Sequence, residues 1–417
     1  MLRKRKPVHI GRILFLLALI AGVVYINTVI VPQTPPLFIP TATPTRAPES
    51  YIADADRLAS EGKYIQSIEM YKEAISAAPD NVNNFVSLAR VQIFSQQYKD
   101  AQTSAENALL LNNNNAIAHA LRGWALLLQE EYLPAETSIK RALELDANNG
   151  MAHAFYAELL IRMSEAGSGG IGTIESASEE SRLAVSLADD TMEAHRARGI
   201  VLQSTANYDA AIQEYQRAIQ INPNVPDVHL FLGNAYRSLD VPELDKAVEE
   251  YTIANALNPS DPLPDTSIAR TYANIGEFRK AAQYAEQAVA DAPEDPYAWG
   301  TLGTMYYRLG EYGNAIQALR LAVRGGTSPD GVVVNGLPLD YGRILEYYYL
   351  YGLALAKSGQ CNEAVEISQL IIQGASEDET GVYNAEAMVT ICQGGVVGTP
   401  TTEGEPAADE VTPTVAE

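Results

Sequence analysis

The chain runs to 417 residues, 47% of them hydrophobic, with 52 acidic against 29 basic side chains and a net charge of −23. Such an acid excess excludes nucleic acid as a ligand, because a phosphate-binding surface needs surplus Lys and Arg. Two cysteines are too few for a disulfide-framework domain, and no Walker loop, G-x-S-x-G or H-E-x-x-H spacing marks a catalytic or metal centre.

Residues 1–12 hold Arg3, Lys4, Arg5, Lys6 and Arg12 without an acid, leaving 24 basic and 52 acidic residues beyond them, a net −28. From Ile13 the sequence stays apolar for ~19 residues, to Val31, enough to cross a hydrocarbon core of about 30 Å. The basic cluster predicts a cytoplasmic N-terminus over 1–12, a transmembrane signal anchor over 13–31 and an extracytoplasmic remainder, a single-pass cell-membrane topology. The competing reading is a cleaved signal peptide. Against it, the run exceeds the usual apolar region, and Leu19 stands where a cleavage site at Ala21-Gly22 wants a small residue. A linker over 32–50 follows, with Pro32, Pro35, Pro36, Pro40, Pro44 and Pro48 among threonines, which favours an extended, semi-rigid spacer.

The stretch 51–394 is periodic. Tyr64, Tyr98 and Tyr132 are spaced by 34 residues, as are Ala74, Ala108 and Ala142. Ala184 follows after 42, Ala218 after 34, Ala254 after 36, and Ala288 and Ala322 after 34 each. Helix-ending turns recur between them, at Pro79-Asp80-Asn81, Asn222-Pro223-Asn224, Asn258-Pro259-Ser260 and Ala292-Pro293-Glu294. Proline stops one helix there, and the following Asp, Asn or Ser caps the next. The sharpest unit runs from Trp299 to Ala322. It reads W-x2-L-G-x2-Y through Leu302, Gly303 and Tyr306, then Gly310, Tyr312, Ala315 and Ala322.

That unit resembles the tetratricopeptide repeat, and the resemblance covers the whole periodic stretch. It implies an all-α, right-handed α-superhelical solenoid of about nine helix pairs, with the last pair near Tyr347–Ile372 and a C-terminal capping helix near Tyr383–Cys392. The array would stand on an N-terminal transmembrane helix. Three departures stand out. Eight extra residues at Glu165–Gly172 and two near Asp240–Pro242 read as lengthened turns, and the insertion Gly325–Asp340, with Asn335-Gly336, as a small hairpin or an Ω-loop. The tail, 395–417, is acidic and lacks bulky apolar residues, which predicts disorder.

His119, His153, His195 and His229 are separated by 34, 42 and 34 residues, the repeat spacings themselves, and each takes the place of Trp299. Neighbouring copies of one position lie roughly 10 Å apart, too far to share a zinc at about 2 Å each. Structural repetition is the expectation, with a pH-sensitive stack as the remaining reading. Glu179-Glu180 and Glu249-Glu250 read as solvated faces.

The resemblance implies a non-catalytic protein–protein interaction scaffold with no cofactor, whose first helices line a concave groove for a peptide or a partner protein not yet identified. No small-molecule substrate is expected. Groove positions carried over from the family fall in two zones. The early one is apolar, with Ile93, Phe94, Trp124, Leu127 and Leu128. The later one, Asn234, Arg237, Arg270, Asn274, Tyr307 and Arg308, would suit a carboxylate or an acidic segment. The family's chaperone-binding clamp wants a lysine one turn before its asparagine, and Leu230 stands there. The alternative is that these arginines pair with acids on neighbouring helices; the acidic tail is another conceivable ligand. Cys361 opens the second helix of the ninth pair and Cys392 ends the next helix. In the family's layout those ends meet, which implies a disulfide, two buried small residues being the alternative. A second functional reading is a carbohydrate-associated module in envelope polysaccharide assembly or secretion, and a third is a regulator of an enzyme encoded elsewhere.

Overall fold

The computed structural model describes residues 10–30 and 46–395. The cluster Arg3–Lys6, most of the proline-rich linker and the acidic tail lie outside the described residues. The chain divides into two units, 1–50 and 51–417. In the first, α1 (Ile10–Tyr25) continues through one π-helical turn, Ile26–Ile30. The segment Gly11–Val29 has a mean hydropathy of 2.1 over 19 residues, long and apolar enough for a membrane span or a signal anchor.

Among the described residues the second unit is a solenoid of nine consecutive helix pairs with a last helix closing its end. The pairs are α2 (Pro48–Ser60) with α3 (Tyr64–Ala77), α4 (Val82–Phe94) with α5 (Tyr98–Leu111), and α6 (Ala116–Leu127) with α7 (Tyr132–Leu145). Next come α8 (Gly150–Glu165) with α9 (Thr173–Leu187), α10 (Met192–Ser204) with α11 (Tyr208–Ile221), and α12 (Pro226–Arg237) with α13 (Leu244–Leu257). The array ends with α14 (Pro262–Asn274) and α15 (Phe278–Asp291), α16 (Pro296–Arg308) and α17 (Tyr312–Arg324), α18 (Arg343–Lys357) and α19 (Cys361–Gly374), and the closing α20 (Glu379–Cys392).

The sequence repeat has a packing cause. All eight repeat alanines, from Ala74 to Ala322, are fully buried in the second helices, where any longer side chain would hold the next helix off. Gly199 is a close-approach position of the first helix: a Cβ there would lie 2.4 Å from the Tyr215 ring. The turns supply caps. Asn81, Asn115, Asn149, Asp261, Asp295 and Asp378 accept hydrogen bonds from backbone N–H groups two or three residues on, and Pro226, Pro262 and Pro296 open their helices.

Both long insertions differ in detail from expectation. The eight residues before Ala184 are only partly loop, because α8 extends to 16 residues, against 12 in α6 and 13 in α10. The later insertion forms a hairpin, with β1 (Gly326–Thr327) antiparallel to β2 (Val333–Val334). Its turn is not Asn335-Gly336. Ser328 N donates to Val332 O at 2.8 Å, so the reversal falls within Ser328–Val332. Gly336 instead lies against the chain at Arg324-Gly325, where a Cβ would come within 2.5 Å of backbone atoms. Tyr348 Oη then ties the insertion down, donating to Leu337 O at 2.9 Å.

Candidate binding cavity on the first-helix face

The histidine series is structural, and the reason is specific. The Nε2 atoms of His119, His153, His195 and His229 bond the carbonyl oxygen six residues earlier, at 3.0, 3.0, 2.8 and 3.0 Å. Trp299 Nε1 does the same to Pro293 O at 2.8 Å. The position calls for a ring nitrogen that pins the inter-repeat turn, which both side chains provide. Glu180 and Glu250, expected on solvated faces, instead meet His153 and His229 through Nδ1, as Glu214 meets His195. Burial disfavours the charged imidazole at His153 and His195, but the carboxylate and carbonyl acceptors outweigh it and raise both pKa values. Among the described residues, no three His, Cys, Asp or Glu side chains are placed to hold a metal ion.

Around Trp124 the space between first helices is filled by the chain itself, and a smaller cleft of about 230 Å³ lies further on between α8, α10 and α12. Trp124 and Leu127 are 2% and 3% exposed, so the apolar patch expected there is core and not open surface. Trp124 stacks on Phe155 at 4.4 Å, and the half-buried Phe94 meets its edge at 6.1 Å. Over Trp124 lies the guanidinium of Arg196, which also faces Phe231 and ion-pairs with Glu158 and Asp227. Arg90 reaches Glu193 at 2.6 Å. Tyr64 Oη donates to Asn224 O at 3.1 Å, and Asn224 Nδ2 to Ser60 O at 3.0 Å, so the first pair's turn locks onto the turn before α12.

The later repeats are open. A cavity of about 390 Å³ lies between α12, α14, α16 and α18. Four residues of the expected later zone line it: Arg237, Arg270, Asn274 and Arg308. Asn234 does not, since its side chain accepts from Tyr251 Oη at 2.9 Å, nor does Tyr307, which packs on Tyr312. A fourth arginine, Arg343, joins the lining with Thr301, Glu346 and Tyr347. Sequence reasoning passed over Arg343 because it follows the insertion, where the repeat register is lost; its signal was the first turn of the next first helix.

None of these four arginines makes an ion pair among the described residues, and the pairing expected as the alternative is absent there. Arg237 reaches only Asn234 Oδ1, at 3.5 Å. Arg270 Nη2 donates to Thr301 Oγ1 at 3.0 Å and approaches Tyr347 Oη at 3.5 Å. Burial, with the Arg343 and Arg237 charges, pulls the Arg270 pKa down to about 10, which leaves it charged at neutral pH. At the far end, Cys361 and Cys392 are disulfide-bonded with Cα atoms 5.5 Å apart.

Three family models match segments of the chain: a tetratricopeptide repeat model at 58–125, a TPR repeat model at 207–240 and a further tetratricopeptide repeat model at 266–331. No curated protein sequence matches it. Among solved structures, pilF of Pseudomonas aeruginosa is 21% identical with a TM-score of 0.41, the match covering 50% of this chain and 91% of that one. A tetratricopeptide repeat protein from Parabacteroides merdae is 14% identical with a TM-score of 0.40, over 62% of this chain and 98% of that one. Nine helix pairs stand in series among the described residues and three separate segments along them match, so the chain is built of tetratricopeptide repeats.

Proposed function

We propose that the chain is a non-catalytic interaction scaffold, anchored by α1, that holds a peptide or partner-protein segment on the first-helix face of pairs six to nine at the extracytoplasmic side of the membrane. Tetratricopeptide repeats generally mediate protein–protein contacts and are generally non-catalytic. The observation that carries the placement is the open cavity whose four arginines form no ion pair among the described residues, where the equivalent space around Trp124 is filled. Two features support the topology: the bases that precede an apolar helix, and a disulfide, which persists in oxidising compartments.

The test is affinity capture from a detergent extract of the source cells, with the full chain and a variant carrying Arg237→Glu, Arg270→Glu and Arg308→Glu. A protein retained by the first bait and lost from the second supports the reading. Identical retained sets would remove binding from this face. The carbohydrate-associated reading has one observation in its favour, a cleft of about 640 Å³ beside the hairpin lined by Tyr306, Asn314, Gln317 and Glu286. Retention of polysaccharide without protein would move the function there.

A further inference from the structure

We infer that the ligand of this cavity is an extended acidic peptide segment, read by one arginine per repeat; the inference rests on the groove reading above and names its chemistry. The first ground is the absence of counter-charge. Elsewhere in the first helices Arg57, Arg90, Arg122, Arg162 and Arg196 all have carboxylate partners, while Arg198 donates to Ser178 and Ser181. In the cavity four guanidiniums gather with Glu346 the one acid of the lining, and among the described residues none of the four forms an ion pair. Like charges confined together raise the energy of the empty site and lower it on anion binding.

The second ground is spacing. The four arginines come from four successive first helices, α12, α14, α16 and α18, whose axes follow one another at roughly 10 Å. One small oxyanion cannot meet them all. An extended chain advances about 3.3 Å per residue, so a carboxylate at every third residue meets each guanidinium in turn. Two of these, Arg237 and Arg270, are half-buried, while Arg308 and Arg343 are exposed. A carboxylate settling on Arg270 takes donors already oriented by Thr301 and Tyr347, in a setting where a charge-assisted, bidentate bond is strongest.

The experiment uses fluorescence anisotropy with the full chain in detergent. The probe is a labelled twelve-residue peptide with Glu at every third position on a Gly/Ser background, beside a twin with Gln in place of each Glu. The expected result is at least tenfold tighter binding of the Glu peptide. That binding falls at least tenfold in the Arg308→Glu, Arg343→Glu double variant, whose exposed sites leave folding intact, and is unchanged in Arg141→Glu, an exposed arginine on α7. Equal binding of the two peptides, or indifference to the double variant, overturns the inference. So does displacement of the peptide by an equal concentration of inorganic phosphate, which would mark a small-anion site. The segment read here belongs to another protein, so deleting residues 396–417 leaves the binding unchanged; tighter binding on deletion would show the chain's own acids occupying the site and overturn that assignment. If the peptide fails while the captured partner is still lost from the triple variant, the ligand class falls and the groove reading survives.

Discussion

The early and late repeats use the same helix pair and treat charge in opposite ways. In the early repeats an inward arginine arrives with its carboxylate and an aromatic face: Arg196, 2% exposed, lies between Trp124 and Phe231 and is bonded to Glu158 and Asp227. In the late repeats Arg237 and Arg270 point into open space with only hydroxyl and amide partners. A buried guanidinium is tolerated where acceptors neutralise it, and an unneutralised one persists where water or a ligand reaches it. The same residue type thus serves as core in one half and lines an open cavity in the other.

The largest effect should come from breaking the early arrangement. Glu158→Ala leaves Arg196 buried beside Asp227 alone, and loss of one partner of a buried ion pair costs about 3–5 kcal/mol. The two tryptophans of the chain separate the regions, since Trp124 lies in the early core and Trp299 in the late one. Urea unfolding followed through Trp124 in a Trp299→Phe background should show that loss. Arg308→Ala, at an exposed late position, should stay within about 0.5 kcal/mol of the parent. Comparable costs at the two sites would erase the distinction between them.

Next in size is the late end. The Cys361–Cys392 bridge closes a separation of 31 residues, which on the loop-entropy account stabilises by about 3–4 kcal/mol. Solenoids unfold by neighbouring units, so reduction should shift the Trp299 transition and leave that of Trp124 in place. A shift of both together would mean that the two halves unfold as one.

What the sequence made legible follows from what repeats. Ala74 to Ala322 and the capping turns recur because every pair solves one packing problem, so pair number and order could be read directly, and with them three of the four cavity arginines. The closure of the early groove could not. It depends on Tyr64 meeting Asn224, partners 160 residues apart that belong to no common register. The acids facing the histidines were hidden for a related reason. The separations from His153 to Glu180, His195 to Glu214 and His229 to Glu250 are 27, 19 and 21 residues, the first and last stretched by the insertions at Glu165–Gly172 and Asp240–Pro242. At the hairpin, Asn335-Gly336 looked like the turn, yet backbone crowding at Arg324-Gly325 is what requires Gly336.

The smallest expected effect is a difference in how the two halves respond to pH. His153 and His195 bind a proton more tightly folded than unfolded, because Glu180 and Glu214 outweigh the cost of burial. Their contribution is therefore complete below about pH 6.5, the unfolded value, and is lost as pH climbs through the higher folded value. In the late half the corresponding position holds Asp265, whose carboxyl is pushed up to about 7 by burial and by Asp291. The sign is the same but the window differs: this contribution is lost between the unfolded carboxylate value of about 3.9 and neutrality. Between about pH 4 and 6.5 only the Trp299 transition should weaken, and above that range the Trp124 transition should begin to follow. Asp265→Asn should flatten the first slope and paired Glu180→Gln and Glu214→Gln changes the second. If the two transitions instead move in parallel across the range, the proton-binding groups of the halves are not the independent sets that their partners make them.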